Sequence, residues 1–268
     1  VFNPPVCGGV GLWSTPGAPP LFGGRTPMRI CPRKDIKLIG KHNLENVTAA
    51  ITAAMLVEAS IQGIQKAIKT FSGLEHRLEY AGRYKSVKYY NDSFSTTPQT
   101  TIAAINSFDD PIVLIVGGSD KGADFTLMAS EIIDSKVKAV ILIGDMAENI
   151  LNALLKVKSK KFEIKIVKNE QLLGSQPRWS LPLGDSNVLP QTRRSPLMGD
   201  SDGAVKYSLL VITGCASMRQ IVKATNQIAE KKDIVLLSPA CASFGMFKNY
   251  KERGELFKEE VKQLKYEN

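Results

Sequence analysis

From Asn43 onward the apolar positions fall into short blocks whose period alternates between helix and strand. Asn43-Leu-Glu-Asn-Val opens an Ala-rich stretch of helical spacing that runs to about Ala59, with Asn43 placed as an N-cap. A second helix is predicted over 61–71, ended by Ser72-Gly73, where glycine suits the C-terminal turn. The period then shortens. Residues 79–84 and 87–90 read as strands joined by a turn, and Pro98 marks the first turn of a helix over 97–108. Ile112-Val-Leu-Ile-Val116, Ala139-Val-Ile-Leu-Ile143 and Ile234-Val-Leu-Leu237 are continuous apolar runs, as expected for strands covered on both faces. Residues 162–167 read as one more strand. Helical spacing recurs at 125–133, 147–155 and 218–229, and a last helix is predicted from about Met246 to Leu264.

Strand–helix alternation with apolar strands predicts an α/β fold, a Rossmann-like, mostly parallel sheet with helices on both faces. Sites in such sheets lie at the carboxyl ends of strands. The informative loops are therefore those after Tyr90, Val116, Ile143 and Leu237.

Proline placement separates two segments from this pattern. Of the 14 prolines, seven lie in residues 1–33 and four between Pro177 and Pro196, so both segments read as loop. Residues 1–35 form an unmatched Pro/Gly-rich stretch. Residues 170–215 are expected to be an insertion, because a structureless loop of that length is uncommon inside a domain. Tyr207–Thr213, in its tail, reads as a stray strand.

Charge and cysteine narrow the class. Lys+Arg is 35 and Asp+Glu is 26, a net charge of +9, which suits an anionic partner. The lysines are scattered, with no aromatic-interleaved basic stripe, so nucleic acid is not the expected partner. No apolar run reaches the ~18 residues of a membrane span. Cys7, Cys31, Cys215 and Cys241 show no metal spacing, and the default is a reduced, cytoplasmic setting. Val rather than Met at position 1 predicts a chain that starts inside a longer product.

Three loops carry candidate chemistry. Asn91-Asp92-Ser93-Phe94-Ser95-Thr96-Thr97-Pro98 puts hydroxyls and a carboxylate at a helix N-terminus, where free N–H groups favour anions. The alternative is local capping. Gly117-Gly118-Ser119-Asp120-Lys121-Gly122 offers close backbone approach and the Lys121 charge, or else a tight turn. No G-x-x-x-x-G-K-[ST] string occurs in the 268 residues. In Ser238-Pro239-Ala240-Cys241-Ala242-Ser243-Phe244, small residues leave room for a ligand and Ser243 offers a donor. A nucleophilic Ser or Cys is disfavoured, since His42 and His76 are the only histidines and both are distant in sequence.

Six ordered strings, Gly40–Asn46, Gly73–Arg77, Asn91–Ser93, Gly117–Phe125, Ser238–Ser243 and Phe247–Gly254, together resemble the Mur ligase family. These are ATP-dependent amino-acid ligases of peptidoglycan synthesis, and the last two strings resemble the D-glutamate-adding members. The resemblance covers about 36–168 and 216–268. It implies that 36–74 is the helical end of the central ATPase domain and that 75–268 is the amino-acid-binding C-terminal domain. It also implies ATP and Mg2+ as cofactors, with no Mg2+ site and no catalytic residue in this chain. D-glutamate, ATP or ADP and UDP-N-acetylmuramoyl-L-alanine are the implied partners of a monomer. Matched by position, Thr96, Lys121, Ser243 and the backbone of Phe244 would hold D-glutamate, with Tyr250 packing nearby. Asn43 and Asn46 would border adenine, and Arg77 and Asp92 would contact ribose or phosphate. Phe94, Thr97 and Gly245 stand where many relatives have Lys, Asn and Asp. Without the P-loop, the chain alone is expected to be inactive. The alternatives are a non-catalytic binding module of the same fold and a folylpolyglutamate synthase-like ligase.

Overall fold

The computed structural model describes residues 9–11, 29–119, 122–157, 162–173 and 207–266. The chain divides at Gly73 into two units, Val1–Gly73 and Leu74–Asn268.

In the first unit, β1 (Gly9–Gly11) pairs antiparallel with β2 (Arg29–Pro32), and two helices follow, α1 (Lys41–Leu56) and α2 (Ile61–Thr70). The N-cap of helix α1 lies three residues earlier than the sequence predicts. Gly40, at φ 94°, makes the turn that an N-cap residue usually makes, which places Asn43 inside the helix. The Asn43 amide donates back to the Ile39 carbonyl at 2.7 Å. In α2 the Ser60 hydroxyl caps the Gly63 N–H at 3.2 Å. Ile30, Cys31, Ile36, Ile51 and Ile64 form the buried core of this unit. Val47, Ile51, Ile64, Ile68 and Phe71 line an apolar groove of about 850 Å3, with Asn46 also on its wall.

The second unit is built on a seven-stranded sheet. Its strands are β3 (Glu79–Tyr84), β4 (Val87–Asn91), β5 (Ile112–Gly117), β6 (Val137–Ile143), β7 (Phe162–Lys168), β8 (Tyr207–Thr213) and β9 (Ile234–Leu237). Their spatial order is β3-β4-β9-β5-β6-β8-β7, and every pairing is parallel except β3 with β4. That exception is a hairpin whose two turn residues, Lys85 and Ser86, both take positive φ, 44° and 68°. Two central residues with φ > 0 match the right-handed twist of the strands they join.

Between the parallel strands run α3 (Pro98–Ile105), α4 (Thr126–Asp134), α5 (Ala147–Lys156), α6 (Asn169–Leu173) and α7 (Met218–Ile228), and α8 (Tyr250–Gln263) follows β9. Val113, Ile115, Ile141 and Val235 share one core with Ile221 and Val222 of α7 and Phe257 and Val261 of α8. Alternate residues Ile112, Leu114, Val140 and Leu236 point to the opposite face and are equally buried. Helices on both faces account for that burial, and full burial of each such side chain is worth roughly 1.5–3 kcal/mol.

Two expectations change. Tyr207–Thr213 is not a stray strand: β8 lies between β6 and β7 and bonds to both, with Leu209, Val211 and Ile212 buried. The expected insertion over 170–215 therefore loses both ends to the fold, since α6 takes its start and β8 and the buried Cys215 its end. The Pro-rich middle, 174–206, lies outside the described residues, as do 1–8 and 12–28. The last helix starts at Tyr250 rather than near Met246. Asn249 caps it, accepting from the Glu252 N–H at 2.9 Å, while Gly245 at φ 91° turns the chain before it. Among the described residues, no helix is long and apolar enough to cross a membrane.

Candidate functional site

The strands β4, β9, β5 and β6 are neighbours, and their carboxyl ends are level: Asn91 and Ile115 both face Leu237, and Gly117 faces Ile143. The loops that leave them are laced together by backbone hydrogen bonds. Asp92 N donates to Leu237 O (2.8 Å), Ala240 N to Ser95 O (3.0 Å), Gly117 N to Pro239 O (2.8 Å), Ser119 N to Ala242 O (3.0 Å) and Met146 N to Gly118 O (2.9 Å). Glycine makes this closeness possible. At Gly117 (φ 124°) a Cβ would collide with the Ile143 carbonyl, and at Gly118 (φ 147°) with the Ala242 carbonyl.

Asp92 anchors the first loop from inside. Its Oδ1 accepts from the Leu78 N–H at 3.1 Å and its Oδ2 accepts from the Ser238 hydroxyl at 2.8 Å. The carboxyl is almost entirely buried, and that burial raises its pKa to about 6, against the pull of Ser95, Ser238, the Leu78 N–H and the Arg77 charge. The Ser238 hydroxyl lies 3.1 Å from that of Thr101 in α3, which donates to the Ser238 carbonyl at 3.2 Å.

A second buried network joins this loop to α8. His76 is buried at φ 62°, with its Nδ1 3.0 Å from the Asn91 amide nitrogen. On the other side of the ring, Nε2 lies 3.6 Å from a Glu255 carboxylate oxygen. Gly254 faces this ring, and a Cβ there would collide with His76 Nδ1. One residue earlier, Arg253 is fully buried. Its Nε and Nη2 donate to the hydroxyl and carbonyl of Ser93, both at 2.9 Å, and its Nη atoms reach the carbonyls of Cys241 and Ala242 at 3.3 Å. The Ser93 hydroxyl in turn donates to the Tyr250 carbonyl at 2.7 Å.

The sequence-predicted residues other than Asp92 fall into four groups. Thr96 and Ser243 lie in the two loops tied by the Ala240–Ser95 bond; Thr96 is half-buried and Ser243 buried. Phe244 beside it is 61% exposed. Tyr250 packs edge-on to Phe94 (5.1 Å) and to His76 (5.7 Å), and the exposed Arg77 guanidinium lies 5.8 Å from the centre of the Phe94 ring. The aromatic ring at position 94 thus lies beside the Arg77 cation. Asn43 and Asn46 belong to the first unit and touch each other, Asn46 Nδ2 to Asn43 Oδ1 at 3.4 Å. Lys121 lies outside the described residues.

Asp92 apart, the residues that organise the site were not among the predicted ligands. Arg253 and Gly254 sit in a matched string, but nothing in the string says what they face. Asn91 bonds His76, Glu79 and the Ser93 N–H, and Ser238 bonds the candidate Asp92. Among the described residues, no group of three His, Cys, Asp or Glu could hold a metal ion. Asp92, the one carboxylate among the candidates, already engages both its oxygens.

Residues 76–173 match the family described as Mur ligase, glutamate ligase domain. The chain is 34% identical over 236 residues to a UDP-N-acetylmuramoylalanine–D-glutamate ligase of Clostridium tetani and 36% identical over 236 residues to its namesake in Clostridium botulinum. Each alignment takes in 88% of this chain and 41% of the relative, so the chain spans about two-fifths of the length of the curated relatives it matches. Among solved structures, it is similar to a UDP-N-acetylmuramoylalanyl-D-glutamyl-2,6-diaminopimelate–D-alanyl-D-alanyl ligase of Acinetobacter baumannii. The TM-score is 0.50 at 12% identity, over 88% of this chain and 39% of that one, a likeness of fold.

Proposed function

We propose, because residues 76–173 match the Mur ligase, glutamate ligase domain family, that the chain is the C-terminal portion of an ATP-dependent ligase that adds D-glutamate to UDP-N-acetylmuramoyl-L-alanine. The observation that carries this reading is the lacing of the loops after β4, β9 and β5 into one rim. A dicarboxylate needs hydroxyl donors, backbone N–H groups and a cation, and these loops own all three residue types. In this reading Thr96, Ser243, the Phe244 backbone and Lys121 hold the two carboxylates, and Tyr250 closes one side. Arg77 serves the nucleotide phosphates, and Asn43 and Asn46 the adenine. Asp92 acts from behind, by fixing Leu78 next to Arg77.

ATP would supply the γ-phosphoryl group that activates the muramoyl-alanine carboxylate, with ADP as the leaving group. The residues of this chain hold the D-glutamate amine towards that carbon. The amine nitrogen forms the new amide bond, loses a proton, and phosphate leaves. The contribution of the domain is orientation and charge complementarity rather than covalent chemistry. The 268 residues by themselves are expected not to hydrolyse ATP.

Titration of the chain with D- and L-glutamate, followed by calorimetry or by backbone amide shifts, tests the reading. Shifts confined to residues around 93–97, 117–122 and 240–245, and larger for the D isomer, are the expected result. Equal or absent response to the two isomers would sink it.

A further inference from the structure

We infer that Arg253 is a positioning residue, a strut that fixes the separation of the loop after β4 from the loop after β9. The position sits on α8, among the buried residues Gly254, Phe257 and Val261. A helix face of that kind needs only volume, and Leu or Met would fill it without burying a charge. No ion pair satisfies the guanidinium among the described residues. Its partners are the Ser93 hydroxyl and the carbonyls of Ser93, Cys241 and Ala242. Burying an unpaired charge is costly and persists only where hydrogen bonds repay it. What a guanidinium supplies, and an ammonium does not, is five donors fixed in one plane. Here one edge of the fork takes Ser93 through two parallel bonds, and the other spans two consecutive carbonyls of the facing loop.

The direction of those carbonyls matters for the site. The described peptide bonds are trans, so an N–H points opposite to the carbonyl of the same peptide plane. With Cys241 O and Ala242 O turned towards Arg253, the N–H groups of Ala242 and Ser243 are turned away from it. Arg253 therefore sets both the gap between the loops and the direction of the amides beside Ser243. Burial draws its pKa down to about 10, which leaves the charge in place at neutral pH. The strut stands on this geometry alone. Its effect on ligand rests on the glutamate reading above.

Amide hydrogen exchange on the whole chain separates the two. Arg253→Lys keeps a cation and loses the fork. The expected result is at least tenfold faster exchange at Ala240 and Ser119, whose N–H groups cross between loops, with Leu114 and Val140 in the sheet unchanged within twofold. In Arg253→Ala, millimolar methylguanidinium should restore the lost protection. Unchanged protection at Ala240 and Ser119, or a uniform loss that includes Leu114 and Val140, overturns the inference. Should neither variant fold, the wild-type Arg253 Nε–H resonance decides: slow exchange supports the strut, and exchange at the rate of an exposed arginine overturns it. D-glutamate titration of the same samples reads the other question. A wild-type chain that ignores glutamate counts against the ligase reading and leaves the exchange result standing, whereas a wild-type response weakened tenfold in Arg253→Lys joins the two.

Discussion

The Ser238 hydroxyl donates to Asp92 Oδ2 across 2.8 Å, joining the first residue after β9 to the first residue after β4, 146 positions apart in sequence. The bond ties the two loops that carry Ser243 and Thr96, and it is made by a carboxyl that burial holds near a pKa of about 6.

A pH dependence follows, with a definite sign. The folded pKa of about 6 lies above the ordinary 3.8, so between these values the folded state binds more protons than the unfolded one. Asp92 therefore opposes folding above about pH 6, and the penalty fades as pH falls through the window. Asp92→Asn lacks this titration. From pH 7.5 to 4.5 the wild type should gain about 2 kcal/mol relative to Asp92→Asn, because 1.5 pH units lie between 6 and 4.5 at roughly 1.4 kcal/mol each. Urea unfolding of both proteins at the two pH values measures it. A constant difference between them would contradict the assignment.

Gly118→Ala addresses the rim directly. The new Cβ meets the Ala242 carbonyl at a φ that side chains rarely adopt, so the loop after β5 must move away from the loop after β9. A loss of about 1–3 kcal/mol is expected from the forced contact, together with loss of the D-glutamate shifts. Retention of both stability and response would show that the close approach is dispensable.

At the opposite end of the sheet, Lys138 is buried beside Asp233 (2.6 Å) and Glu230 (3.2 Å). Lys138→Met leaves the buried Asp233 carboxylate without its counter-charge and should cost about 3–5 kcal/mol. Lys138→Met combined with Asp233→Asn should recover much of that, since the second change removes the stranded charge. Thermal denaturation of the single and double variants distinguishes this pairing from simple packing, in which the two losses would add.

The β3–β4 hairpin turns through Lys85 and Ser86, two side chains held at positive φ. Lys85→Asn with Ser86→Gly supplies the residues such a turn favours and should stabilise the domain by about 1 kcal/mol. A lower midpoint in guanidinium would rule out the turn type described here.

The sequence by itself determined the strands, the helices between them and the loops at the strand ends. Each follows from a local period or punctuation: apolar runs such as Ile112–Val116, Pro98 at a helix start, and glycines at 117 and 118. The proline-rich run misled the reading of 170–215, because composition averages over a window and β8 occupies only its last few positions. Asn43 misled in a similar way, since an N-cap residue type also serves inside a helix when glycine makes the turn before it. Only the tertiary structure decided that β9 inserts between β4 and β5, which places Ser238 on Asp92, and that α8 returns Arg253 to Ser93 from 160 positions away. No period records such pairings. They arise when the sheet brings remote strand ends level, and the buried polar groups left there must find one another or remain unsatisfied.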